Sequence, residues 1–200
     1  MKLQGALPAS LLLVVLQANS ASPQTAPAYD AEDQFLLPNG YETTWVFVGS
    51  NLGLEYMSGV AAMTAREARR AEDQAFHNIY IDPAAYAEFV RSGTFPDPTI
   101  LIMENYVAEA RDVGGVLKEG VFNGERRRVE AAVKDSRRPT RPDSKENWAY
   151  YAFSLDSDGK PLPAARAMPD QACYTCHKLH AVKDNVWVQF YPHLRRWVRP

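Results

Sequence analysis

The chain contains two cysteines, Cys173 and Cys176, and both fall in "QACYTCHKLH", residues 171–180, with His177 directly after the second. This C-x-x-C-H run constrains the fold more than any other stretch, because three reactive side chains must be presented together. A redox-active C-x-x-C belongs to oxidising compartments and sits at a strand-to-helix junction of a βαβ unit. Here the run lies near the C-terminus and no such unit surrounds it. A zinc site needs four ligands; three adjacent groups are too crowded to supply three of them, and no second C-x-x-C completes the set. The third chemistry is attachment of c-type haem. Two thiols three positions apart on a helix can each add to one vinyl group of the same porphyrin, and the following histidine falls under the iron as proximal ligand. The sequence therefore predicts one covalent haem c, held by Cys173 and Cys176 and ligated by His177, with a redox disulfide as the alternative.

The N-terminus agrees with that chemistry. "MKLQGALPASLLLVVLQANS" places Lys2 before an apolar run at Leu11–Leu16 and small residues at Ala18 and Ser20. This is the pattern of a secretory signal peptide over residues 1–20, with cleavage near Ser20 or Ala21. The run is too short for a permanent span, so an uncleaved anchor is the lesser reading. Residues 21–34 read as a flexible mature N-terminus and 35–200 as one haem domain. The expected product is an exported, periplasmic protein with no stable membrane insertion. The formal net charge of −2 falls to about −3 without Lys2, which gives no general drive toward nucleic acid.

The remaining chain reads as strands with few helices. Strands are predicted at "ETTWVFVG" (42–49, with Trp45 and Phe47 on one side), "FHNIYI" (76–81), "TILIMENYV" (99–107), "RRVEAAVKD" (127–135) and "NWAYYAFSL" (147–155). "DPAAYAEFVRSG" (82–93) is predicted as a helix, capped by Asp82, started by Pro83 and stopped by Gly93, with Tyr86, Phe89 and Val90 toward the core. Residues 51–74 fit either a helix or a surface loop. Gly114, Gly115 and Gly120 mark a loop, and a charged linker runs to about 146. A helix from about residue 169 carries the haem motif, and residues 185–197 close the chain in helical turns. The fold class is α+β: an antiparallel β-sheet-rich domain with a few helices and a C-terminal haem-binding segment.

"FHNIYIDPAAYAEFVRSGTFPDPTILIMENY", "ENWAYYAF" and "CYTCHKLHAVKDNVWVQFYPHLR", in that order, resemble the cytochrome P-460 family, which includes cytochrome c′-beta. The resemblance implies an exported single-haem protein, often a homodimer, with iron bound by the motif histidine and open on its distal face. Cytochrome P-460 proper oxidises hydroxylamine with a haem cross-linked to a lysine. Cytochrome c′-beta lacks the cross-link and binds nitric oxide under aromatic side chains. The lysine's position aligns with Met103, and "TILIMENY" contains no lysine; the nearest one downstream is Lys118. That departure favours a c′-beta-like binder of small gaseous or nitrogen-oxide ligands. The alternatives are a P-460-type oxidoreductase acting on hydroxylamine or nitric oxide, and a six-coordinate electron-transfer cytochrome.

Strand alternation puts Ile100, Ile102, Glu104 and Tyr106 on one face, and Leu101, Met103 and Asn105 on the other. Met103 is thus a haem-packing residue or a sixth ligand. His77 is a second ligand candidate, although a hydrogen-bonded strand histidine is the plainer reading. His180 and His193 are not expected to ligate. Phe47, Phe76 and Phe95 are the aromatic candidates for the distal cap. Arg166 and Met168 precede the motif and are placed at the pocket mouth. Glu104 is a proton shuttle if it is buried beside the haem, and an ordinary ion pair if an arginine meets it. Between Lys118 and Lys145 nine basic residues face five acids, a surface able to steer an anionic redox partner protein.

Overall fold

The computed structural model describes residues 23–54, 74–112, 114–115, 119–138 and 147–198. The stretch expected to be a signal peptide, most of the ambiguous 51–74 stretch, Lys118 and the expected 139–146 linker lie outside them. No helix among the described residues is long and apolar enough to cross a membrane.

Five strands form one antiparallel sheet in sequence order: β2 (Val46–Leu52), β3 (Ala75–Ile81), β4 (Thr99–Asp112), β5 (Glu119–Lys134) and β6 (Trp148–Phe153). A two-stranded sheet pairs β1 (Phe35–Leu36) with β7 (Ala164–Ala165). Among the described residues there are also four short α-helices, α1 (Tyr41–Thr44), α2 (Pro83–Ser92), α3 (Tyr174–His180) and α4 (Pro192–Arg195), and a 3-10 turn at Val188–Phe190. The architecture is α+β and sheet-rich, as the sequence predicts.

Period-two alternation divides the sheet into two cores. On one face Ile79, Ile81, Leu101, Trp148 and Tyr150 pack with α2 and the C-terminal segment through Phe89, Phe95, Tyr174, Val188 and Leu194. On the other, Ile100, Ile102, Val129, Ala131, Val133 and Phe153 pack with Phe35 and Tyr41. The strands are longer than predicted. β4 and β5 pair from Thr99–Lys134 out to Asp112–Glu119, and this hairpin takes in Gly120, which the sequence reading placed in a loop. Of the three marker glycines only Gly114 and Gly115 have positive φ. "ETT" is helical rather than extended: left-handed Gly40 and hydroxyl bonds from Thr43 and Thr44 to its carbonyl wind the turn that starts β2.

Helix α2 follows its sequence signals. The Asp82 carboxylate accepts from Ala85 N at 2.9 Å, Pro83 opens the helix and Gly93 ends it at φ 72. Ala85 and Phe89 are buried, whereas Tyr86 and Val90 are only half-buried. Phe89 stacks on Phe95 at 4.2 Å, and Phe95 meets Trp148 edge-on. At the other end of this core, Gly49 lets α4 approach β2. A Cβ on Gly49 would stand 3.2 Å from Pro192 Cδ.

Residues 23–34, expected to be flexible, are tied to the domain. Thr25 N donates to Asp82 Oδ2 at 3.0 Å, and Tyr29 O–H donates to Asp135 Oδ2 at 3.3 Å. Asp82 thus serves two backbone N–H groups while itself almost wholly buried. Asp82→Ala is expected to destabilise the fold by about 1–2 kcal/mol, read as a fall of a few degrees in Tm. The larger effect belongs to Glu104, which lies in the second core with Arg126 Nη2 at 2.9 Å and Tyr41 O–H at 3.0 Å. Arg126→Met leaves that carboxylate without its cation, and a loss of about 3 kcal/mol in urea unfolding is expected. Adding Glu104→Leu to Arg126→Met should restore much of the loss.

Candidate haem site

The motif lies against the first face of the sheet. Pro169–Ala172 form turns, and α3 begins only at Tyr174, so Cys173 is its N-cap residue rather than an interior one. Both cysteines are free thiols. Burial pushes the Cys173 thiol up to about 11; Glu130 adds to the rise and Arg128 opposes it. Cys176 is also raised by burial. A redox-active C-x-x-C needs the opposite shift, toward thiolate. Among the described residues no group of three or more His, Cys, Asp or Glu is arranged to hold a metal ion, so a zinc site finds no ligand set.

His177 is fixed from two sides. Its Nδ1 lies 2.8 Å from the carbonyl of Asn185, so Nδ1 carries the proton and Nε2 keeps the lone pair. Trp187 Nε1–H points at that lone pair from 3.1 Å. The Tyr150 ring packs on the imidazole at 4.4 Å, and its O–H donates to the same Asn185 carbonyl at 3.2 Å. Burial lowers the His177 pKa, partly offset by the bond to Asn185, and keeps the ring neutral. A neutral imidazole with Nδ1–H engaged and Nε2 directed is the ligating form.

The Asn185 carbonyl reaches His177 because the chain reverses at two residues with left-handed backbone, Asp184 (φ 47) and Asn185 (φ 59). Asn and Asp are the non-glycine residues that tolerate this conformation. Asp184 pins the turn to the sheet, accepting from Lys134 Nζ at 2.8 Å and Trp148 Nε1 at 3.0 Å.

The residues expected around the pocket divide by sheet face. Met103 shares the motif's face, paired with Ile79 and Glu130 across its neighbours. Met103, Met168 and Cys173 pack against one core cluster. His77 is also on this face, with Nδ1 2.9 Å from Asn51 Oδ1, and burial lowers its pKa although Glu130 opposes the shift. Phe47, Phe76 and Glu104 belong to the opposite face, away from the motif. Phe47 packs on Tyr80 and is 45% exposed, Phe76 registers with Leu52 and Tyr106, and Glu104 pairs with Arg126. Phe95 is on the motif's side but buried beneath α2 against Phe89. Arg166 points away and pairs with Glu32 at 3.2 Å on the surface. His180 is exposed, stacked on Trp187, and His193 is exposed in α4.

Four contributors were missed by the sequence reading. Glu130, cross-strand from Met103, is within electrostatic reach of both Cys173 and His77. Tyr150, Asn185 and Trp187 surround the His177 ring. The Asp-Asn pair just after the motif was the available signal for the turn; Glu130 had none until β5 was in register with β4.

The two free thiols, the neutral His177 imidazole, whose Nε2 lone pair the Trp187 N–H would have to yield to an iron, and the apolar cluster beside Cys173 suit a covalent haem. Cys173 and Cys176 would hold the porphyrin and His177 its iron. No protein with a curated description matches the chain. The family model described as Cytochrome P460 matches residues 38–188, well over half of the chain and all of the motif. With the site's donor set, that match establishes that the chain belongs to the cytochrome P460 family and is a c-type haem cytochrome.

Proposed function

We propose that this chain is an exported, single-haem cytochrome whose iron, bound by His177, takes a small neutral ligand such as nitric oxide on its other face. The observation that supports this reading most is Met103. It occupies the position that the resemblance gives to the cross-linking lysine, and it shares the motif's face of the sheet. A thioether cannot make the amine bond to a porphyrin edge. The one lysine in the five strands, Lys134, is engaged by Asp184 Oδ2 at 2.8 Å and the Phe95 carbonyl at 3.0 Å.

Bound haem supplies a redox-active iron with one coordination position for a small molecule. The protein supplies the rest. Asn185 holds the His177 proton on Nδ1 and so directs Nε2. Ile79, Leu101 and Met103 belong to an apolar cluster on the motif's face, and a site built against it would disfavour charged ligands and admit neutral gases.

A second reading, oxidation of hydroxylamine or nitric oxide, is favoured by one feature. The Glu130 carboxylate, on the motif's face, is within electrostatic reach of both Cys173 and the neutral His77 imidazole. An acceptor pair of this kind is what a substrate with N–H or O–H protons requires.

The absorption spectrum of the purified protein, oxidised and dithionite-reduced, tests both. The expected ferrous form is high-spin, with one broad visible band that changes on adding nitric oxide. Met103→Ala should leave the ligand-free spectrum unchanged. Sharp, split low-spin bands that Met103→Ala abolishes would make methionine the sixth ligand and overturn the proposal. A strong red shift of the ferrous spectrum would instead favour a cross-linked enzyme. His177→Ala should keep the covalent mass of haem through Cys173 and Cys176 but lose the histidine-ligated spectrum.

A further inference from the structure

Three cross-strand rows order the motif's face of the sheet. Leu101, Ala132 and Tyr150 are in register in the first, and Tyr150 is the residue on which the His177 ring packs. Ile79, Met103 and Glu130 form the second. Asn51, His77, Asn105 and Arg128 form the third. Each row lies about 7 Å beyond the last along β4, two residues of an extended strand. The face therefore runs from the row beside the motif imidazole, through the Met103 row, to a polar one. Cys173 is within electrostatic reach of Glu130 and Arg128, one from each of the last two rows.

Asn105, in the polar row, is a buried amide without a partner. It is 8% exposed, and its side chain makes no hydrogen bond among the described residues. Other buried polar side chains are satisfied. Asn78 accepts from Ser50 at 2.7 Å, Asp82 from Ala85 N at 2.9 Å and Glu104 from Tyr41 at 3.0 Å, and Thr99 donates to the Pro96 carbonyl at 2.6 Å. An unpaired buried amide is costly, and folded proteins rarely keep one. The row neighbours of Asn105 are committed elsewhere. His77 directs Nδ1–H to Asn51 Oδ1, which leaves Nε2 an acceptor, and Asn51 donates to Tyr191. Arg128 Nη1 is 2.9 Å from Glu130, and the arginine side chain is 60% exposed. Asn105 is thus the buried, uncommitted N–H donor of its row.

We infer that Asn105 is the polar contact of the ligand site: its side-chain N–H donates to the outer atom of a small ligand bound at the iron. The inference rests on the haem reading above and adds a ligand class to it. The site takes small ligands whose outer atom accepts a hydrogen bond, as the oxygen of bound nitric oxide does. The apolar Met103 row lies against the inner part of the ligand, and the amide beyond it meets the outer atom. The contact is a hydrogen bond alone, with no bond broken and no proton transferred.

The test uses the haem-loaded protein, with carbon monoxide on the ferrous iron and cyanide on the ferric iron. A donor facing the outer oxygen lowers the C–O stretch, so Asn105→Leu should raise it in the infrared spectrum. Asn105→Val is the second variant, for use if leucine prevents folding. Cyanide should leave either variant about ten times faster than it leaves the parent protein, equivalent to one ordinary hydrogen bond. The thermal midpoint of Asn105→Leu should be unchanged or higher, because an unpaired polar group is removed rather than a bond. An unchanged stretch with unchanged cyanide dissociation overturns the inference. So does a lowered midpoint with an unchanged stretch, which would make Asn105 a structural amide satisfied by buried water. The two conclusions fail separately. Carbon monoxide displaces a methionine from ferrous iron, so the stretch still reports on Asn105 if the ligand-free bands are low-spin. Such bands defeat the open-iron reading and leave the Asn105 result standing.

Discussion

The site depends on a two-residue reversal of the backbone. Asp184 and Asn185 both adopt left-handed conformations, which L-residues enter at a cost of about 1–2 kcal/mol each, least for Asn and Asp. The turn holds because both residues have strong partners. The Asp184 carboxylate joins Lys134 on β5 to the Trp148 indole on β6, and the Asn185 carbonyl takes hydrogen bonds from His177 and Tyr150. The motif imidazole is thereby oriented by the sheet rather than by its own seven-residue helix, which is too short to be stable alone.

The same sheet separates chemistry from support. Met103 and Glu104 are neighbours in sequence and opposites in environment. Met103 faces the motif; Glu104 faces Tyr41, Tyr80 and Arg126 in a buried polar cluster on the far side. Tyr80 is pushed up to about 12, by burial first and then by the Glu104 charge. A one-residue slip of β4 would bring Glu104 to the thiols and put Met103 among tyrosines. The Glu104–Arg126 pair resists that slip, because its partners exist on one face alone.

Local signals made much of this legible in the sequence. The motif announced its chemistry in five consecutive residues. Helix α2 carried Asp82, Pro83 and Gly93 at its ends, and the strands carried β-branched and aromatic runs. The alternation of β4 separated Met103 from Glu104 correctly. What could not be read was whatever needed register between strands. Phe47 and Phe76 were plausible aromatic caps until the pairing of β2 with β3 and of β3 with β4 sent them to the other face. Glu130 looked like one more charge in a basic stretch until β5 paired it with Met103. Residue type suggests what a side chain can do, but the face it occupies is set by pairings dozens of residues away.

The two half-buried histidines of this face show why the motif decides ligation. His77 is held much as His177 is: its Nδ1–H is directed to Asn51 Oδ1, and Asn51 is oriented in turn by donating to Tyr191 O–H at 3.2 Å. Both rings are neutral, with pKa values lowered by burial, and both keep the lone pair on Nε2. Tautomer and charge therefore do not separate them. Position does. His177 adjoins Cys176, so a porphyrin bonded to the thiols would hold its iron at high effective concentration beside His177. His77, on β3, has no such tether and would have to bind against the cost of leaving Asn51. With haem attached through the thiols, tethering rather than tautomer would decide which imidazole becomes the proximal ligand, and would leave the other as a neutral hydrogen-bonding group on the same face.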